Sequence, residues 1–148
     1  MARRHERTDD RRQAAQVLYS GEIRGRDARE LLSDDGILCL EKPLTEYSLG
    51  LIEGVVDHKG EIDQLLSSTS ENWTIDRMPI TDLVIMRIAV FEMIHVEDVP
   101  ISVSINEAVE LAKFFGGDDE SPRFVNGMLG NIARELEDEA KEGCHGSN

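Results

Sequence analysis

The residues best suited to chemistry lie at the start of the chain: Arg3, Arg4, Arg7, Arg11 and Arg12, five guanidiniums within twelve residues. A guanidinium is permanently charged and forked, and it matches the paired oxygens of a phosphate. Glu6, Asp9 and Asp10 interrupt the run, so these twelve residues carry a net +2. The whole chain carries −14, which leaves −16 on the other 136 residues. A basic segment on an acidic body is a sign asymmetry suited to an interaction tail for nucleic acid. A solubilising terminus has the same composition. Arg12, Gln16 and Tyr19 are spaced i, i+4 and i+7, which on a helix forms one stripe. A guanidinium, an amide and an aromatic ring in line can bind phosphates and stack on bases. The same stripe also suits a solvated flank with Tyr19 half-buried against a neighbouring helix.

Other chemistry finds little support. His5, His58, His95 and His145 are scattered, and none has a partner at metal-ligand or triad spacing. Cys39 and Cys144 are far apart, without metal-ligand spacing, and suit a reducing, cytoplasmic compartment. There is no glycine-rich phosphate loop and no nucleophile elbow. Carboxylates are abundant, but the pattern places them on solvated faces, where nothing tunes them as acids or bases. The expectation is no catalytic centre, no cofactor and no metal. The apolar runs fall far short of the roughly 20 residues needed to cross a bilayer. The basic start leads into no apolar segment of a signal peptide.

The elements that must position the arginines are helical throughout. The 148 residues, 40% hydrophobic and 31% charged, suit one domain with a real core. A first helix is predicted from about Thr8, with Ala14, Val17 and Leu18 facing inward and Ala15 at the margin. Gly21 and Gly25 end it, and a short second helix follows over Ala28 to Leu32. Ile37 to Leu40 fits a further half-turn. Thr45-x-x-Ser48 opens a long pattern of Leu49, Ile52, Val55, Val56, Ile62, Leu65 and Leu66 near period 3.6. Gly50, Gly54 and Gly60 weaken that pattern, allow close approach of a second helix, and permit a break near Gly60. Ser67 to Asn72 reads as a polar loop, closed by Trp73 at the seam between two halves. Pro79 leads into an almost wholly apolar helix, Ile80 to Val96, in which Arg87 and Glu92 need buried partners.

The next helix, around Ile105-Asn106-Glu107-Ala108-Val109-Glu110-Leu111-Ala112-Lys113, has a broad apolar arc and a polar side. Phe114 on that polar side is either harmless or part of a contact patch. Asn106 and Glu107 suit interhelical hydrogen bonds. Ser121 as N-cap and Pro122 at the first turn announce the last helix. Its core face is Phe124, Val125, Met128, Leu129, Ile132 and Leu136, and Gly127 and Gly130 on the other side suggest close approach from outside the core. The expected architecture is all-α, six to seven helices in one domain over 1–142. It divides into a basic arm at 1–8, an N-terminal helical subdomain at about 9–67, a C-terminal one at about 73–140 and a disordered tail at 143–148.

Pro100-x-x-Val103-x-Ile105-Asn106-Glu107-Ala108-Val109-Glu110-Leu111-Ala112-Lys113, followed by Phe124-Val125-Asn126-Gly127-Met128-Leu129, resembles the signature of the NusB family of transcription antitermination factors. Arg11 to Ser20, Gly54-Val55 with Ile62-Asp63, and Trp73, Arg77 and Ile85 to Glu92 extend the resemblance over nearly the whole chain. It implies two packed three-helix subdomains. It also implies binding of boxA RNA of ribosomal operons together with the small-subunit ribosomal protein acting as NusE, so that RNA polymerase reads through terminators. By the same resemblance, Arg3, Arg4, Arg7, Arg11 and Arg12 contact phosphate, and Gln16 and Tyr19 face RNA or partner. Glu120, Ser121, Arg123 and Phe124 form a second RNA-facing region, and Asp82 contacts NusE. The resemblance leaves monomer and homodimer open. A similar domain fronts certain ribosomal RNA methyltransferases, but the chain's length favours the stand-alone factor. The reading from another class is a helical interaction adaptor of this fold with weak or no RNA binding.

Overall fold

The computed structural model describes residues 2–33, 42–70, 74–116 and 119–146, with side chains from 7 to 140 within them. Those residues form seven α-helices and one 3-10 turn, with no strand among them: α1 (Ala2–Arg24), α2 (Ala28–Leu31), α3 (Glu46–Asp57), α4 (Lys59–Thr69), the turn Ile75–Arg77, α5 (Ile80–His95), α6 (Ile101–Phe115) and α7 (Glu120–Gly146). The half-turn at Ile37 to Leu40 and the seam role of Trp73 lie outside the described residues.

Local chemistry sets most of the boundaries. Gly25, at φ +65°, ends α1 in the left-handed region that favours glycine. The amide of Arg26 then donates to the Gly21 carbonyl at 3.0 Å. Asp27 caps α2 by accepting from the Arg29 amide at 2.8 Å, and Thr45 caps α3 by accepting from the Ser48 amide at 3.1 Å. The expected long third helix breaks at His58, whose φ of −109° and ψ of 17° leave helical geometry. α5 and α6 each begin behind a proline, Pro79 and Pro100.

α5 is the axle. Leu83, Val84, Ile85, Met86, Ile88, Ala89 and Val90 are all buried, and α1, α3, α4, α6 and α7 pack against this helix. α1 to α3 pack on one another on one side, and α5 to α7 on the other. α4, expected with the N-terminal half, packs on α5 and α7. One continuous core therefore joins the two halves, running from Ala14 and Val17 on α1 to Leu129 and Ile132 on α7.

Three expectations about shape are corrected. α1 starts at Ala2, not Thr8, so the arm's backbone continues the first helix; the Thr8 hydroxyl donates to Glu107 instead of capping. α7 starts at Glu120, so Ser121 lies within its first turn. The same helix runs on through Gly146, past the expected end near 142. Close approach also occurs at fewer glycines than expected. Methyl groups at Gly50, Gly60, Gly127 and Gly130 would meet open space, whereas at Gly54 one would overlap the Phe91 ring. That glycine lets α3 and α5 touch.

Gly54→Ala should therefore destabilise the fold by about 1–3 kcal/mol, because an overpacked core must shift. Gly50→Ala should be neutral or stabilise by up to about 1 kcal/mol through helix propensity. Urea unfolding of the two variants checks the contrast; equal effects would show that the Phe91 contact does not limit the packing.

Candidate nucleic-acid interface

The arginines of α1 divide into two sets with different roles. Arg11 points inward: its side chain is 3% exposed, and Glu92 on α5 is 1% exposed. The Arg11 Nε donates to the Glu92 carboxylate at 3.0 Å, one terminal nitrogen lies 2.9 Å from Glu92 Oε2, and the other donates to Glu107 Oε1 on α6 at 2.9 Å. The Tyr47 hydroxyl on α3 donates to the same Glu92 carboxylate, and Thr8 adds its donor to Glu107. Burial opposes the Arg11 charge, yet the hydrogen bond and charge of Glu92 outweigh it and hold the guanidinium above its ordinary pKa. Burial, and then the Glu92 charge, push the Tyr47 hydroxyl up as well. The expected phosphate contact by Arg11 is thus corrected: its donors are committed to two carboxylates inside the protein. Glu92 was flagged in the sequence as a charge needing a partner; Tyr47 gave no signal there. The expectation that carboxylates lie on solvated faces fails at Glu92 and at Asp82, which is 3% exposed.

Arg12, one residue on, points outward. Its guanidinium carbon lies 4.2 Å from the centre of the Phe114 ring, a cation–π stack between α1 and the end of α6. Asp9 is its nearest carboxylate, at a loose 3.5 Å. Phe114 is 55% exposed and meets Phe115 edge-on, with ring centres 4.9 Å apart. Gln16 and Tyr19 are both exposed along the same side of α1, Tyr19 at 41%. Arg7 is half-occupied by its own fold, 3.0 Å from Asp98 and 4.4 Å over the Tyr47 ring. The Arg3 and Arg4 side chains lie outside the described ones, although their backbone belongs to α1.

The second expected region is less uniform. Glu120 and Arg123 are exposed on the first turn of α7. Phe124 is half-buried against the core, with part of its ring still at the surface. Ser121 donates to Asp82 Oδ2 at 3.2 Å. That bond joins the buried Asp82 carboxylate of α5 to the first turn of α7. Glu107 makes the interhelical bonds expected of it, whereas Asn106 is exposed.

A second ionic knot backs the far end of α1. Arg87 on α5 grips Asp63 on α4 with two parallel bonds of 2.9 Å and donates to Glu22 on α1 at 2.6 Å; Lys59 adds a contact to Glu22 at 3.3 Å. This is the pairing that the sequence required of Arg87. Burial works to raise the Glu22 carboxyl, but the hydrogen bond and charge of Arg87 prevail and lower it.

The stacked guanidinium, exposed aromatics and polar α1 face form a solvent-facing surface on the first helix of an all-helical protein. Comparison with known proteins agrees with that class. The NusB family model matches residues 8–134. A transcription antitermination protein NusB from Nocardioides sp. is 43% identical over 128 residues, covering 86% of this chain and 93% of the relative. One from Salinispora tropica is 44% identical over 126 residues, covering 83% and 91%. Among solved structures, NusB of T. maritima superposes with a TM-score of 0.75 at 33% identity, covering 87% of this chain and 91% of that one. A structure of antitermination factors NusB and NusE in complex with dsRNA gives 0.74 at 27% identity, covering 87% and 96%. The chain belongs to the NusB family.

Arg11→Met should cost about 3–5 kcal/mol, because Glu92 is left as an unpaired buried charge. Adding Glu92→Gln removes that charge while keeping an acceptor for Tyr47, and the pair should be less destabilised than Arg11→Met alone. Denaturant unfolding of both variants decides this, and purely additive losses would refute a coupled knot. For Glu22, the lowered carboxyl contributes stability that is present above its ordinary value of 4.5 and is lost as pH falls below it. The gap in melting temperature between the native chain and Glu22→Gln should be open near neutrality and should close in acid. A gap that stays constant with pH would show that Arg87 does not hold the ionised form.

Proposed function

We propose that this protein is a transcription antitermination factor. It binds boxA-type RNA of ribosomal operons jointly with the ribosomal protein acting as NusE, and so helps RNA polymerase pass terminators. The carrying observation is the Arg12–Phe114 stack beside exposed Gln16 and Tyr19, on a chain whose family relatives are antitermination proteins. A solved relative binds dsRNA as a NusB–NusE pair. The stack offers a fixed charge for a phosphate and an open ring face for a base, while Gln16 supplies an amide for a base edge. Arg3 and Arg4, by the family resemblance, and exposed Arg123 and Glu120 on the first turn of α7 are assigned to RNA contact with it. Arg7 joins by giving up Asp98, which is 68% exposed and readily rehydrated. Arg11 supports this surface from beneath and takes no part in contact. No helix of the described residues is long and apolar enough to cross a membrane. Work beside polymerase would place the protein in the cytoplasm.

The adaptor reading draws on one observation: with Arg11 buried and Arg7 half-engaged, the free positive charge is small against a net −14. It predicts that RNA binds only through the partner, with this chain contributing nothing measurable.

Titration of a boxA RNA with the protein, its ribosomal partner and both together separates the two readings. Joint binding should be tightest and should weaken as salt rises, because phosphate contacts release counterions. Arg12→Ala should weaken joint binding and reduce the log–log salt slope by about 1, and Phe114→Ala should cost about 1–3 kcal/mol of stacking. Joint binding that Arg12→Ala and Phe114→Ala leave unchanged would overturn the assignment of this surface.

A further inference from the structure

Away from that surface, three side chains that the sequence scatters converge where α3 breaks into α4. His58 sits at the break itself, Glu61 lies one turn into α4, and His95 is the last residue of α5. One ligand-capable atom from each falls within 4.8 Å of the other two. The two imidazoles are 4.1 Å apart, centre to centre, and Phe91 forms an apolar wall, with its ring 5.7 Å from His58 and 5.3 Å from His95. The expectation that no histidine has a partner at ligand distance is therefore corrected. Spacing concealed it because His95 comes from another helix.

The hydrogen bonds settle which atoms are available. His58 Nδ1 lies 2.9 Å from the Gly54 carbonyl. A carbonyl only accepts, so Nδ1 carries a proton, and Nε2 is the nitrogen left to ligate an ion. A backbone carbonyl on the far nitrogen is the arrangement that fixes the tautomer of metal-bound histidines. His95 Nε2 lies 2.8 Å from Glu61 Oε1, a spacing compatible with neighbouring ligands on one ion. Lys59, the nearest cation in sequence, is directed to Glu22 at 3.3 Å and does not neutralise Glu61. A His95–Glu61 ion pair accounts for two of the three groups. It does not account for a second imidazole held against the first at 4.1 Å.

We propose that His58, Glu61 and His95 form a site for a divalent transition-metal ion, with zinc the best match. Two imidazole nitrogens and one carboxylate oxygen are a borderline N/O donor set that suits zinc rather than magnesium or calcium, which take oxygen ligands. The site faces solvent on one side, with Glu61 51% exposed, so water completes the coordination. Bound there, the ion ties the end of α5 to the joint between α3 and α4 and stabilises the folded chain without touching the α1 surface.

The test uses the full chain stripped with chelator and titrated with zinc alone, with magnesium as the control ion. Zinc should raise the melting temperature in a concentration-dependent way, magnesium should not, and cobalt in place of zinc should give the visible absorption of a low-coordinate nitrogen-ligated ion. His95→Gln and Glu61→Gln should each weaken zinc binding by about tenfold or more, while a His5→Gln, His145→Gln double variant should keep it. The absence of a melting shift and of cobalt absorption would overturn the proposal. So would zinc binding that survives both His95→Gln and Glu61→Gln, since it would then belong to surface groups elsewhere.

Discussion

The fold depends on a charge that water does not reach. Arg11 and Glu92 are almost fully enclosed, and each is tolerable there only because the other is present. Tyr47 and Glu107 complete the pair, so α1, α3, α5 and α6 meet at one point through side chains of fixed geometry. Apolar contacts alone allow helices to slide by part of a turn. A forked guanidinium gripping two carboxylates does not, because a small shift leaves a donor or an acceptor unsatisfied. The position of Arg12, and with it the outward face of α1, follows from where Arg11 is anchored.

The second knot does the same at the other end of α1. Arg87 joins Glu22 to Asp63 and so links α1, α5 and α4. Between the two knots the core side of α1 needs only small and aliphatic residues, Ala14, Ala15, Val17 and Leu18, all buried. The first helix is held at both ends by ions and in the middle by close packing. It is a rigid presenter for whatever its outer face meets.

Much of this was legible in the sequence. The apolar residues from Leu83 to Val90 marked a buried central helix, Thr45 lay where a helix had to open, and Arg87 and Glu92 stood out as charges in apolar surroundings. Periodicity places residues on faces of their own helix and carries no information on which helix comes opposite. For that reason Arg11 was grouped with its exposed neighbours, although a rotation of about 100° separates it from Arg12. The same limit hid Tyr47 beneath Arg7, Asp82 beneath Ser121 and the meeting of His58 with His95. Phe124 does pack on the core face, as its period requires. The break at His58 and the extension of α7 to Gly146 were matters of helix continuation, which propensity sets only weakly.

The stack of Arg12 on Phe114 has a kinetic and entropic side. A free surface arginine samples many rotamers, and fixing it on a ligand costs on the order of 0.5–1.5 kcal/mol. Against the ring at 4.2 Å, much of that freedom is already gone before any encounter. The net charge of −14 disfavours polyanions in general, and a cation already held in place locally offsets that repulsion. An acidic body with one preorganised exposed guanidinium thus favours particular orientations of an anionic partner over general attraction.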